Sequence, residues 1–419
     1  MASSLPHYET KILSNGLEVV AIPMDNGSKV ISTDIFYKVG SRNEVMGKSG
    51  IAHMLEHMNF KSTKNLKAGE FDEEVKSFGG LNNASTGFDF THYYIKSSSE
   101  NLPKSLSLFA ELMENLNLQD DEFQPERNVV AEERRWRTDN NPMGYLYFRL
   151  FNSAYIYHPY HWTPIGFMND IQTWTLHDIR SFHETYYQPK NAILIVTGDI
   201  APSTVFEEAE KHFGKIQNTR EIHPVQTVEP DQDGERRVEV HKESEVEMLA
   251  ISFPIPNFQD PDQPKLSALS EMLSSGKSSR LNRILVDEKR LVNQIYAYNM
   301  ETIDPGVFLF LAVCNSGVKA EEVEKEIWKI ISQFQEQPVE QAELDKVKIN
   351  TKADFIYSLE SSTSVAELFG SYMARGDVKP LERYEEAIVS LKPEDIQSVA
   401  KKYLARDKST TLILRKGQK

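Results

Sequence analysis

The run Leu176-His177-Asp178-Ile179 through Tyr186 is echoed at a constant offset by Pro393-Glu394-Asp395-Ile396 through Tyr403, and each leads into an apolar run, Ala192–Thr197 and Thr410–Leu414. A helix followed by a strand is a common pairing. A fixed-offset echo across a chain of 419 residues nevertheless points to an internal duplication. Duplication restricts the fold strongly, because each half must then repeat one plan. A chain this long also exceeds what one hydrophobic core usually organises, so at least two domains are expected.

Strand-like and helix-like segments alternate throughout, which indicates layered α/β or α+β packing. The first half opens with a hairpin-like pair, Gly16–Pro23 and Ser32–Val39, around the turn residues Asn26-Gly27. Helices are expected over about Ser49–Phe60 and Ala68–Phe78, the second stopped by Gly79-Gly80. Strands Leu81–Thr86 and Thr91–Ser97 follow, then helical stretches over about Leu102–Leu116, Glu122–Thr138 and Leu176–Tyr187. The strand Ala192–Thr197 and the turn Gly198-Asp199 close the half. The polar stretch Gln217–Gly234, with Pro224, Pro230 and an Asp-Gly, is expected to be a linker. Beyond it Arg237–His241 and Glu247–Phe253 look like a second strand pair, and Pro264–Glu288 is mostly helical in pattern.

Composition narrows the function. The apolar fraction of 40% and charged fraction of 26% are those of an ordinary globular protein. A net charge of -15 argues against nucleic acid as a partner, which calls for clustered positive charge. Apolar runs such as Ala192–Val196 and Val307–Val313 are strand-sized, so no membrane span is expected. Met1–Tyr8 lacks the basic and apolar segments of a secretion signal, although Met1-Ala2-Ser3-Ser4 also suits a trimmed start. On that ground a bacterial periplasm is placed slightly ahead of the cytoplasm. The single cysteine, Cys314, leaves no intrachain disulfide and no Cys-rich metal site; ending an apolar run, it is expected to be a buried, inert thiol.

The chemistry concentrates in His53-Met54-Leu55-Glu56-His57. Residues four apart on a helix share a face, so His53 and His57 can offer imidazole nitrogens to one cation, with Glu56 at the edge of that face. Two imidazoles fall short of the three protein ligands plus water usual for catalytic zinc, so a carboxylate from elsewhere should complete the set. Glu126 and Glu133 are two helical turns apart and share a face, whereas Glu132 points elsewhere and is expected to be solvated. One of the pair could ligate the metal and the other brace a ligating histidine. Spacing alone does not choose between them, and an acidic helix face is the plainer reading.

These runs resemble the pitrilysin/insulinase family of metallopeptidases, the inverzincins. Gly40-Ser41-Arg42-Asn43-Glu44, Gly50-Ile51-Ala52-His53-Met54-Leu55-Glu56-His57-Met58 and Phe60-Lys61-Ser62-Thr63 follow the family's order. So do Phe78-Gly79-Gly80 with Asn83-Ala84-Ser85-Thr86, Thr91-His92-Tyr93, Glu126-Arg127-Asn128-Val129-Val130 through Glu133, and Tyr187 through Asp199. The likeness is strong over about Asn15–Asp199 and diffuse beyond, and it is to short two-domain members, such as the mitochondrial processing peptidase beta subunit and bacterial zinc proteases. It implies an α+β fold: two homologous α/β-layered domains, each a mostly antiparallel sheet packed against helices. The domains would be residues 1–216, carrying the metal, and 235–419, without the metal motif, joined by the linker 217–234.

Carried over residue by residue, the resemblance implies one zinc per chain, held by His53, His57 and Glu133. Glu126 would brace from behind, Glu56 would act as general base, and Asn83, Ala84 and Ser85 would form the sheet edge that takes a peptide substrate as an added strand. One departure stands out: Val286 and Asn293 occupy positions where many members carry an arginine and a tyrosine that hold the substrate carbonyl. Arg283, Arg290 and Tyr296 lie nearby but out of register. The resemblance therefore implies a homologous partner subunit supplying an Arg/Tyr pair in a heterodimer, a homodimer being the other arrangement. The competing readings are a non-catalytic assembly subunit, like the respiratory-complex core proteins of this family, and a metal-dependent hydrolase of non-peptide bonds. His158 and His161, flanked by Pro159 and Pro164, are expected to sit in aromatic packing at a turn. His92, His177 and His183 have no ligand-spaced partners and are expected to be solvated or singly hydrogen-bonded.

Overall fold

The structure, a computed structural model, describes residues 4–25 and 27–417. Asn26 of the expected turn and Met1–Ser3 of the N-terminus lie outside the described residues.

Eleven strands are seen among the described residues. Six belong to the first half: β1 (Glu9–Ile12), β2 (Glu18–Pro23), β3 (Val30–Tyr37), β4 (Leu81–Thr86), β5 (Thr91–Ser98) and β6 (Ala192–Gly198). Five belong to the second: β7 (Arg236–Lys242), β8 (Met248–Pro254), β9 (Val292–Met300), β10 (Val307–Cys314) and β11 (Thr410–Lys416). They form two sheets, ordered β1-β2-β6-β3-β5-β4 and β7-β11-β8-β10-β9. From β2 onward the two orders are the same. In each sheet one pair is parallel, β2 with β6 and β7 with β11, and the rest are antiparallel. The fold is α+β, two mixed sheets covered by helices.

Two local pairings differ from expectation. β2 and β3 do not form a hairpin, because β6 lies between them, parallel to β2 and antiparallel to β3. In the same way β11 separates β7 from β8. The reason is burial. β6 is buried at every residue and β11 at its first five. A strand that is apolar on both faces gains most in the sheet interior, so it displaces the short-range pairing that a turn signal suggests.

The inner face of the first sheet, with Val19, Ile31, Ile35 and Tyr37, packs against the helices Ile51–Met58, Leu102–Asn115, Leu176–Tyr186 and Pro202–Phe213. Its other face, with Val20, Ile22, Phe36 and Ile193, is covered by the helix Ser362–Arg375 from the second half. A Cβ at Gly370 would lie 2.1 Å from the Phe36 ring, so only glycine lets that helix sit so low on the sheet. The exchange is mutual. The helix Pro142–Ala154 lays Leu146, Leu150 and Phe151 on Val240, Ala250 and Leu412 of the second sheet.

Polar clasps join the halves as well. Asp304 receives Arg42 Nε at 2.5 Å and His158 Nε2 at 2.8 Å, while Asp89 accepts from Tyr160 at 2.5 Å and from the Ile303 amide at 2.9 Å. His158 is thus a buried partner of Asp304 packed on Tyr160, in line with the packing role expected for it. The stretch 217–234 contains no helix or strand but is pinned in place. Glu229 accepts from the consecutive amides of Ile156, Tyr157 and His158 at 2.8–2.9 Å, and Gln232 donates to the Ser409 carbonyl at 2.8 Å. Cys314 is buried, and burial pushes its thiol up to about 12, the state of an inert sulfur.

Candidate metal centre

The helix Ile51–Met58 carries His53, Glu56 and His57, and it starts where it does because of Gly50 and Glu44. Gly50 has φ +83°, and a Cβ there would meet the Ile165 carbonyl at 2.7 Å. Two orphan amides of the first turn need acceptors. Glu44 supplies them, accepting from the Gly50 amide at 2.9 Å and the Ala52 amide at 2.8 Å, while Trp162 Nε1 donates to the same carboxylate at 2.7 Å. Burial pushes the Glu44 carboxyl up to about 8, against these three donors. Ile51, Ala52, Met54, Leu55 and Met58 are buried, which locks the helix axis and turns the two histidines towards the helix Asp120–Arg134.

There the donors converge. His53 Nε2 and His57 Nε2 are 3.2 Å apart, His57 Nε2 is 3.2 Å from Glu133 Oε2, and His53 Nε2 is 3.6 Å from the same oxygen. Tetrahedral zinc with bonds of about 2.0–2.1 Å sets its ligand atoms roughly 3.3 Å apart. The three distances therefore outline one face of such a tetrahedron, and the residues present fit the ion. Among the described residues, these three are the only group of histidine, cysteine and carboxylate atoms gathered closely enough to hold a metal.

The structure also separates the two glutamates. Glu133 reaches the Nε2 side of the histidines, and its other oxygen accepts from Arg137 Nε at 2.9 Å. Glu126 lies behind, accepting from His57 Nδ1 at 2.8 Å and Lys61 Nζ at 2.6 Å. Glu132 is exposed and pairs with Arg135. The protonation pattern follows. Burial works against a charged His57, but its bonds to Glu126 and Glu133 outweigh this and lift its pKa to about 9. Burial, then the charge of His57, presses His53 down to about 4. The bond from His57 holds Glu133 below the usual carboxylate range; Glu126 is held there too, its bonds to His57 and Lys61 overcoming burial. The two carboxylates thus favour positive charge at His57, as they would a cation bound beside it.

Glu56 stands one residue before His57 and receives a hydrogen bond from the Thr86 hydroxyl. Burial raises its carboxyl above the ordinary value, only partly countered by Thr86 and His57. Thr86 ends β4, which pairs with β5 alone among the described residues and leaves its outer edge open. On β4, Asn83 and Ser85 point outward and are exposed, while Ala84 packs inward. A cleft of about 450 Å³ joins Glu56 and His57 to Phe60, Lys76 and Asn83. His53, His57 and Glu133 are thus gathered together, with Glu126 behind His57, and the Thr86 bond ties Glu56 to the strand that carries Asn83, Ala84 and Ser85.

Four contributors were not foreseen: Glu44, Thr86, Lys61 and Arg137. Lys61 and Arg137 follow His57 and Glu133 by four residues, a spacing that signals helical neighbours. Glu44 and Thr86 carry no such signal, because each reaches the motif helix across a loop or a strand end.

The chain belongs to the insulinase family, peptidase family M16, as a zinc-protease-like protein. A profile described as Insulinase (Peptidase family M16) matches residues 19–160, and one described as Peptidase M16 inactive domain matches residues 173–351. The chain is 56% identical to a Helicobacter pylori protein named zinc protease PqqE, over 99% of this chain and 94% of that one. It is 25% identical to a mitochondrial-processing peptidase subunit beta of Lentinula edodes, over 95% of this chain and 88% of the other. A solved structure titled as a protease from Helicobacter pylori superposes with a TM-score of 0.97 at 56% identity, covering 98% of this chain and all of that one, 100%.

Proposed function

We propose that the chain is a zinc-dependent endopeptidase acting on peptides or unfolded segments, and that it works as the metal-bearing subunit of a dimer. The observation that carries this is the convergence of His53 Nε2, His57 Nε2 and Glu133 Oε2 within 3.2–3.6 Å, beside a carboxylate that has no part in that triangle. Zinc bound there would supply Lewis-acid activation of water and of the scissile carbonyl. Glu56 takes the water's proton and hands it on to the leaving amine; its upward-shifted pKa suits a group that must both accept and give. Thr86 holds one Glu56 oxygen, which keeps the other free for that exchange. Glu126 keeps Nδ1 of His57 protonated and so presents Nε2 to the metal. The substrate backbone pairs with the open edge of β4 at Asn83, Ala84 and Ser85, and main-chain pairing tolerates many sequences.

What supports a partner is the missing donor pair. Val286 packs against the core of the second half, Asn293 is an exposed neutral residue, and Arg283 is engaged with Glu288. A homologous subunit bringing an arginine and a tyrosine would complete the carbonyl-binding side. The alternative, a non-catalytic assembly subunit, draws on the description of the second matched profile as an inactive domain. That profile begins at residue 173, beyond the histidine motif and both glutamates, and the full donor set in the first half favours the peptidase.

The test pairs metal analysis of wild type and Glu133→Gln with hydrolysis of an unstructured peptide, alone and with extract from the source cell. About one zinc per wild-type chain, much less in the variant, and activity that rises in extract and vanishes in Glu56→Gln is the expected result. No metal and no activity under either condition overturns the peptidase reading. Full activity of the chain alone overturns the need for a partner.

A further inference from the structure

Glu133 offers two oxygens, and the structure gives them different tasks. Oε2 completes the triangle with His53 Nε2 and His57 Nε2, whereas Oε1 accepts from Arg137 Nε at 2.9 Å. An ion pair on a protein surface ordinarily contributes little. This one differs in kind. The Arg137 side chain is 63% exposed, but its partner is only 16% exposed and is itself one of the three converging donors. The Arg137 charge also acts on His53 and Glu56, which places it at the mouth of the same site.

The backbone brings Arg137 there by an unusual turn. The helix Asp120–Arg134 widens at its C-terminal end into a π-helical turn, Arg135–Asp139, closed by the Asn140 amide on the Arg135 carbonyl at 2.7 Å. Such turns are rare and gather at functional sites. Its surroundings hold this one in place. A Cβ on Gly144 would stand 1.9 Å from the Arg137 carbonyl oxygen, so only glycine lets the following helix, Pro142–Ala154, close against the turn. Asp139 accepts from Arg134 Nε and Nη2 at 3.2 Å, and the Arg134 guanidinium lies 4.0 Å from the centroid of the Phe148 ring. Thr138, beside Arg137, is buried. Arg137 is thus a long, exposed side chain on a fixed root.

We propose that Arg137 is a positioning residue: by holding Glu133 Oε1 it leaves Oε2 alone to the metal. This role rests on the zinc reading of the site. A carboxylate with both oxygens free closes on a divalent cation with one of them or with both. The second oxygen would take up the position that a catalytic zinc keeps open for water. A guanidinium suits the task, because it is permanently charged and its planar N–H donors fix the direction of the carboxylate. The arrangement favours reactivity over affinity. Arg137 brings positive charge towards a cation, and it withholds an oxygen that would add to the binding.

Substituting cobalt for zinc reads the coordination directly, because cobalt(II) absorbs visible light strongly in a four-coordinate site and weakly when more ligands crowd it. The full chain is compared as wild type, Arg137→Ala, Arg137→Lys and Arg135→Ala. The last is the control for losing a nearby arginine, one that pairs with Glu132 instead. Arg137→Ala should lose roughly half or more of the visible absorption per bound cobalt. In chelator competition it should hold zinc no less tightly than the wild type. Arg137→Lys keeps a charged donor and should recover most of the spectrum, and Arg135→Ala should match the wild type. The Arg137 side chain is mostly exposed, so its removal leaves the fold intact. An unchanged spectrum in Arg137→Ala, the same change in Arg135→Ala, or weaker zinc binding without a spectral change overturns the positioning role and leaves the zinc site standing. A wild type that takes up neither zinc nor cobalt overturns the zinc reading, and this role with it.

Discussion

Replacing Glu126 by glutamine tests the division of labour between the two glutamates. The side chain keeps its size and one acceptor oxygen, but it loses the charge that receives His57 Nδ1 at 2.8 Å and Lys61 at 2.6 Å. Removing a carboxylate behind a metal-bound histidine typically costs 10–100-fold in metal affinity, about 1.4–2.7 kcal/mol. Glutamine still accepts from His57, so the lower end is expected, roughly tenfold. A second effect opposes it. Metal must displace the proton that His57 holds with a pKa of about 9, and Glu126 is one of the two groups that hold it there. Below pH 9 the wild type therefore spends part of its intrinsic affinity on that proton, at about a factor of ten per pH unit. The variant, with a lower His57 pKa, spends less. The deficit should accordingly be small near pH 7, grow as pH rises, and level off above about pH 9. Competition against a chromophoric zinc chelator at several pH values measures it. Isothermal titration in buffers of differing ionisation enthalpy should show fewer protons released per zinc in the variant at pH 7. A deficit that does not change with pH, or one that is largest at low pH, would refute the reasoning.

Three further outcomes follow from the same geometry. Glu56→Gln should keep its zinc and lose hydrolysis by about 10²–10⁴-fold, measured with a fluorogenic peptide beside elemental analysis; activity within tenfold of wild type removes Glu56 from the general-base role. Gly50→Ala forces a side chain into φ +83° and within 2.7 Å of the Ile165 carbonyl, so urea denaturation should show a loss of about 2 kcal/mol or more, and a loss under about 0.5 kcal/mol would contradict the strain. Glu44→Ala leaves the Gly50 and Ala52 amides and Trp162 Nε1 without an acceptor, which should cost about 3 kcal/mol or more in the same assay and also weaken zinc binding. Normal stability with normal zinc affinity would show that water satisfies those donors instead.

The helix Pro142–Ala154 shows why part of the fold escaped the sequence. Its apolar residues, Leu146, Phe148, Leu150 and Phe151, are crowded by aromatic and polar neighbours, and it packs on a sheet that the chain has yet to build. No local period announces such a partner. The helix Pro202–Phe213 has only Val205, Ala209 and Phe213 at helical spacing to mark it, and β1 is exposed throughout, so no alternation marks it. By contrast β4, β5 and the motif helix lie within two residues of their expected ends, because alternation along the strands and the Gly79-Gly80 stop are signals carried by the residues themselves.

The same boundary runs through the site. Sequence by itself determined that His53 and His57 share a helix face and that Glu126 and Glu133 share another, since both follow from 3.6 residues per turn. It also held the echo of the two halves, which reappears as two sheets with one strand order. Only the tertiary structure decided which glutamate meets Nε2 and which meets Nδ1, because that depends on how the helix Asp120–Arg134 lies across the helix Ile51–Met58. It also decided that β6 and β11 enter between earlier strands, that the halves trade a helix, and that Glu44 and Thr86 brace the motif from outside its helix. Those outcomes come from burying apolar faces and satisfying buried donors between segments far apart in the chain, and a local pattern holds no record of such distances.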